Sequence, residues 1–151
     1  GSQALIIRIC MPFSSCYELK KDVARFFLEQ LQMGNEIRAI EDQKIIPTLV
    51  DDISNALKAF IEIPKVGIYQ VASKSSTTPF EFAKLLAKSF GLDINLIKPV
   101  SCDEYNKIKQ AKLLKNSWLD STKFRKEYGE DSLHTVEESI QIFKQAVDLL
   151  A

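Results

Sequence analysis

The apolar residues of this chain change period several times between its two ends. Ala4-Leu5-Ile6-Ile7-Arg8-Ile9-Cys10 runs with almost no apolar/polar alternation, the pattern of a strand covered on both faces. Such a strand seldom starts a fold alone, so the chain is expected to be the back part of something longer. The period then becomes helical. Val23, Phe26, Phe27 and Leu31 share one face, Phe82, Leu85, Leu86 and Phe90 a second, and Val136, Ile140, Phe143, Val147 and Leu150 a third; all three are expected to face a core. A further helix is predicted over Val50 to Ile61, with Ile53, Leu57, Phe60 and Ile61 inward. Short runs rich in branched residues at Ile37 to Ile40, Val66 to Ala72 and Ile94 to Val100 predict strands.

The punctuation agrees with this periodicity. Gly34, Gly91 and Gly129 each follow an amphipathic run, where helices end in a left-handed residue, and Gly67 precedes an apolar strand. Ser15 with Glu18, Thr78 with Glu81, Ser101 with Glu104 and Thr135 with Glu138 have capping-box spacing, and Pro79 suits a first helical position. The order is strand, helix, strand, helix, strand, helix, strand, helices, which predicts an α/β architecture with mostly parallel pairing. No repeat, low-complexity tract or linker interrupts it. Gly1-Ser2 reads as a tag-cleavage remnant, leaving residues 3–151 as one expected domain.

Composition narrows the classes. A length of 151 residues, 46% hydrophobic and 26% charged, fits one soluble globular domain and excludes disorder. Twenty Lys plus Arg balance twenty Asp plus Glu, so no net field recommends DNA, RNA or an acidic membrane as a partner. The longest apolar runs, such as Ala4 to Ile7, fall far short of the roughly 18 residues needed to cross a bilayer. With no basic and apolar leader, a reducing cytoplasm is expected. Cys10, Cys16 and Cys102 fit neither a zinc site nor a disulfide framework and read as packed or incidental thiols. His134, the sole histidine, is expected on a surface loop before the helix at Thr135.

Candidate chemistry is sparse. No G-x-G-x-x-G or P-loop is present to take a pyrophosphate on a helix N-terminus. Tyr17 with Lys21 and Tyr105 with Lys109 have Tyr-x-x-x-Lys spacing, read as coincidence in a lysine-rich chain. Asp51-Asp52 is better explained by the helix macrodipole than by a metal. Two segments are more informative. Asp42-Gln43-Lys44-Ile45-Ile46-Pro47-Thr48 joins a strand end to a helix start, where loops carry binding residues. Lys112 to Asp120 breaks the helical pattern with two lysines, an amide and the only tryptophan; it reads equally as an anion pocket with an aromatic wall and as a surface loop anchored by Trp118.

Taken in order, these segments resemble the C-terminal half of the dTDP-4-dehydrorhamnose reductase family, within the extended short-chain dehydrogenase/reductases that act on nucleotide sugars. Leu5 to Phe13 resembles the strand and loop after that family's catalytic helix, and Asp42-Gln43 through Pro47-Thr48 its Asp-Gln-x-x-x-Pro-Thr segment. Gly67 to Ala72 resembles the strand completing the nucleotide-binding sheet, and Thr78 to Gly91 the Glu-Phe-Ala helix after it. Asn116-Ser117-Trp118-Leu119-Asp120-Ser121-Thr122-Lys123 resembles the Asn-Ser-x-Leu-Asp-Thr-Ser-Lys stretch. The resemblance implies the substrate-binding portion of an extended short-chain dehydrogenase/reductase with an incomplete Rossmann-type sheet. It implies that the glycine-rich turn and catalytic Tyr-x-x-x-Lys lie in a missing N-terminal half, with NAD(P)H bound by the parent protein and none by this chain alone.

It also implies that Cys10, Met11 and Pro12 lie near the nicotinamide, and that Met11, Gln43, Pro47, Lys112 and Asn116 line the nucleotide-sugar side. No catalytic or metal-ligating residue is expected here. Two positions depart from the pattern: Met11 stands where an aromatic is common, and Leu113-Leu114 where Arg-Pro is. They keep open a non-catalytic relative, since the family resembles the regulatory subunit of methionine adenosyltransferase. An independent binding module sharing only element order is a third reading. If the chain is a fragment, its first strand needs a neighbour and a homodimer would supply one.

Overall fold

The computed structural model describes residues 4–16, 21–108 and 112–150. Its strands are β1 (Leu5–Ile9), β2 (Pro12–Phe13), β3 (Ile37–Ile40), β4 (Lys44–Ile45), β5 (Thr48–Leu49), β6 (Gly67–Val71), β7 (Ile97–Val100) and β8 (Asn116–Ser117). Its helices are α1 (Val23–Gln32), α2 (Val50–Glu62), α3 (Pro79–Ser89), α4 (Cys102–Ile108), α5 (Thr122–Tyr128) and α6 (Val136–Leu150). The strands pair two by two, β1 with β6, β2 with β5, β3 with β7 and β4 with β8, every ladder parallel. This is the expected α/β order, with β1 and β6 as the incomplete Rossmann-type sheet.

At three of the four capping-box pairs the N-cap bond forms, and one of the three closes as a reciprocal box. Thr78 Oγ1 accepts from Glu81 N at 3.1 Å, Ser101 Oγ from Glu104 N at 3.1 Å, and Thr135 with Glu138 is reciprocal. The fourth does not start α1: Asp22 caps that helix, accepting from Arg25 N at 3.0 Å, while Glu18 lies outside the described residues. Ile94–Leu96 forms a single 3₁₀ turn, and the strand begins only at Ile97.

Two larger cores, and a small cluster of Ile40, Val100 and Cys102, hold the described elements together. In the first, Phe13 meets Phe82 and Phe143 edge-on, each with centroids 5.6 Å apart, between α1, α3 and α6. In the second, Phe60 of α2 and Phe124 of α5 close on Tyr69 and Val71 of β6. The helical periodicity overshot at its margins. Phe26, Leu57, Ile61 and Leu150 are exposed, and Ala56 and Phe60 carry the inward face of α2. A helix resting on a two-stranded sheet buries a narrower stripe than one in a full α/β layer.

The β1–β6 sheet is covered on one face only. Ile7 and Tyr69 pack on α2 and α5, while Ile6 and Ile68 on the opposite face are 51% and 45% exposed. The reading of β1 as covered on both faces therefore holds for half of it. On the outer edge of β6 one group is met: Gly67 N donates to Ala4 O, so the carbonyl of Ile68 points away from β1, where Lys123 Nζ donates to it at 3.1 Å. Among the described residues β1 has no second neighbour. No described helix is long and apolar enough to cross a membrane.

Candidate functional site

The chain turns sharply where β1 ends. Met11 has φ +43°, the one described non-glycine residue in the left-handed region, a conformation that costs an L-residue free energy and persists only when its surroundings impose it. Thr48, fully buried, supplies much of that constraint. Its N–H donates to Met11 O at 3.2 Å, and its hydroxyl donates to Ile46 O at 3.1 Å and accepts from Ser73 N at 3.3 Å. One residue, by its backbone and its hydroxyl, thus ties the turn after β1, the segment before α2 and the loop after β6.

Beside the turn lies a cavity of about 450 Å³ walled by Met11, Pro12, Phe13, Val23 and Val50, with Ser14, Lys21 and Asp22 as its polar members. The polar members are already engaged. Asp22 accepts from Ser14 N at 3.2 Å and from Arg25 Nε at 3.0 Å, and Lys21 pairs with Glu29. Cys10 is turned elsewhere, its Sγ 3.7 Å from Ser117 O. Burial pushes its thiol pKa up, against a backbone hydrogen bond at Ile46, which disfavours the thiolate. The cavity can hold and orient an apolar body, and its two charged wall residues, Lys21 and Asp22, are each paired with another side chain.

The remaining candidates cluster around β4 and β8. Gln43 is buried and its Nε2 donates to Leu114 O at 2.7 Å, Pro47 is buried, and Asn116 pairs with Lys44 in the β4–β8 ladder. Lys112 is exposed. The structure therefore brings Met11 and Pro12 together on one cavity and gathers Cys10, Gln43 and Asn116 about β8; the two groups do not share a wall. Asp42, beside Gln43, accepts from Cys102 N at 2.6 Å at the start of α4 and lies 3.5 Å from Lys115, contacts that hold its carboxyl below the usual range. Tyr17 and Lys109 lie outside the described residues, so neither Tyr-x-x-x-Lys pair is described whole.

Sequence reasoning missed Thr48 as a hub, the Val50 and Lys21 walls, and the pairing of Asp52 with His134. His134 stands in the loop before α6, as expected, but its ring is engaged there: Nδ1 is 2.6 Å from Asp52 Oδ1. Thr48 alone had a signal, in the Pro-Thr of its segment. No group of three or more His, Cys, Asp or Glu able to hold a metal exists among the described residues.

Comparison with known proteins gives this geometry its family. The sequence pattern of the RmlD substrate binding domain matches residues 1–147. The chain belongs to that family. No curated protein matches it. Among solved structures, the dTDP-4-dehydrorhamnose reductase of Bacillus anthracis in complex with NADP superposes with a TM-score of 0.81 at 23% identity, over 93% of this chain and 48% of that one. The ortholog from Clostridium acetobutylicum gives 0.80 at 20% identity, over 97% and 48%. The UDP-glucuronic acid 4-epimerase of Bacillus cereus, in complex with UDP-glucuronic acid and NAD, gives 0.73 at 13%, over 97% and 46%. This RmlD-type domain thus shares the fold of extended sugar-nucleotide reductases and epimerases while spanning about half their length.

Proposed function

We propose that this chain is the substrate-binding part of an NAD(P)-dependent nucleotide-sugar reductase or epimerase and does not turn over by itself. The observation that carries the reading is the two-stranded β1–β6 sheet, which has no further strand beside β1 among the described residues and leaves Ile6 and Ile68 exposed on one face. A dinucleotide-binding half added at β1 would extend that sheet and bring the nicotinamide toward Met11 and Pro12. The residues present do not cradle a dinucleotide themselves. The described glycines sit at helix ends or the start of β6, and none forms the strand-to-helix turn a pyrophosphate needs.

This chain's share is then to shape and dry the sugar side. Met11, Pro12, Phe13 and Val50 exclude water from the cavity. Gln43, Pro47, Lys112 and Asn116 border the sugar nucleotide, with Gln43 acting through its hold on Leu114. A non-catalytic regulatory or binding domain of the same fold is the second reading. It is favoured by Leu113 and Leu114, 40% and 71% exposed where a family arginine would offer a bidentate phosphate contact.

The test is calorimetric titration of the chain with dTDP-glucose, beside NADPH consumption with a dTDP-4-keto sugar by the chain alone and by the longer protein carrying an upstream half. The expected result is binding by both and turnover by the longer protein only. Turnover by the chain alone, or an inert longer protein, overturns the reading.

A further inference from the structure

A second cleft, sharing no lining residue with the Met11 cavity, has about 430 Å³ and is built from four separate stretches, 44–46, 73–76, 118–121 and Arg125. Its wall holds three cations, Lys44, Lys74 and Arg125, against one carboxylate, Asp120. Asp120 is committed to its own turn, accepting from Thr122 N at 2.9 Å and from the Thr122 hydroxyl. Lys44 has no carboxylate partner among the described residues; its Nζ lies 4.0 Å above the ring centroid of Trp118, on the same wall. Arg125 has donors to spare. A guanidinium carries five N–H groups; Arg125 spends them on Glu130 and Thr122, and its buried Nε–H finds no acceptor.

Those features ask for an anion. A buried donor without an acceptor is costly, and an oxyanion is the acceptor best suited to a guanidinium and an ammonium together. The carboxylates paired with Lys74 and Arg125, Asp131 and Glu130, are exposed while the two cations are largely buried, so solvent weakens each pair from its acidic side. Trp118 and Ile46 add an apolar wall, so the cleft suits an anionic head on a small organic body. We propose that this cleft binds a phosphate-bearing small molecule, with Lys44 and Arg125 as the anion's ligands and the indole of Trp118 as the wall beneath it. The proposal stands on this cleft alone and does not rest on the reading of the Met11 cavity.

Trp118 is the only tryptophan, so its fluorescence reports the cleft directly. The chain is titrated with inorganic phosphate at fixed ionic strength, beside Lys44→Gln and Met11→Ala, with acetate and chloride as comparison anions; thermal melts establish that each variant is folded. The expected result is a saturable change with phosphate, weaker with acetate and absent with chloride. Lys44→Gln loses about tenfold in affinity, the scale of one charge-assisted contact, and Met11→Ala titrates as the parent does. A response that never saturates, that chloride reproduces, or that Lys44→Gln leaves unchanged overturns the proposal. A loss in Met11→Ala equal to that in Lys44→Gln overturns the separateness of the two sites.

Discussion

Asp52 in the first turn of α2 accepts two hydrogen bonds from one residue 82 positions later: His134 N donates to Oδ2 at 3.0 Å, and its ring Nδ1 lies 2.6 Å from Oδ1. Asp52 is 1% exposed. His134 O in turn accepts from Lys74 N and the Ser73 hydroxyl, so the pair joins α2, the loop after β6 and the start of α6. Asp52→Ala strands both donors and is expected to cost about 3 kcal/mol, a fall in Tm of roughly 6–12 °C by calorimetry. His134→Ala keeps the backbone donor and should cost about half as much. Equal losses would mean that the ring contact carries the pair.

Thr48→Val leaves Ser73 N facing a methyl group in a fully buried site. The expected loss is about 1–3 kcal/mol in urea unfolding, whereas Thr48→Ser, which keeps the hydroxyl, stays within about 1 kcal/mol of the parent. A serine variant as unstable as the valine one would show that packing, not the hydrogen bonds, is what matters there.

Met11 bears left-handed strain on the wall of a cavity. Met11→Gly relieves it and should raise stability by about 0.5–1 kcal/mol, and Met11→Val, branched at Cβ, should lower it. The check is a pair of urea curves with unchanged slope. A drop in both variants would place the value of Met11 in its side-chain contacts instead.

Burial, reinforced by the hydrogen bond to Glu127 at 2.8 Å, pushes the Tyr69 hydroxyl up to about 12. In the unfolded chain tyrosine titrates near 10. Between those values the folded state binds more protons, so stability falls as pH rises through that window and is fully present below it. Tyr69→Phe should remove the last-titrating component of the alkaline ultraviolet titration and flatten the loss of Tm above pH 10 or so. Its persistence in the variant would assign it to Tyr128, whose hydroxyl burial also raises.

The open edge of β1 and the exposed apolar pair Ile6 and Ile68 give the isolated chain a surface for self-association. Sedimentation is expected to show a concentration-dependent dimer, and Ile6→Lys to return it to monomer with its melting temperature unchanged. A strict monomer at millimolar concentration would show that the edge is inert without another strand.

Much of this fold could be read along the chain because it is written locally. Periodicity marked α1, α2, α3 and α6, and cap residues three apart placed three helix starts, since both signals act within one or two turns. The near-continuous apolar run of β1 pointed to an incomplete sheet, and the segments in register pointed to the family. What stayed hidden depends on residues far apart. The two-residue strands β2, β4, β5 and β8 are too short to show a period, and pairing alone makes them strands. Phe26, Leu57 and Ile61 look inward on a helical wheel, but whether they are depends on which neighbours are present.

The site divides the same way. Met11 and Pro12 were named from their place after β1, and both line the cavity beside that turn. Thr48 as a hub, Asp52 with His134, and Lys44 over Trp118 required the fold, because contacts between residues 25 to 82 positions apart leave no trace in local pattern. The sequence by itself determined the longer elements, their order and the family, since propensity and capping are local energies. Only the tertiary structure decided which polar groups meet, because a hydrogen bond or ion pair depends on distances that folding sets.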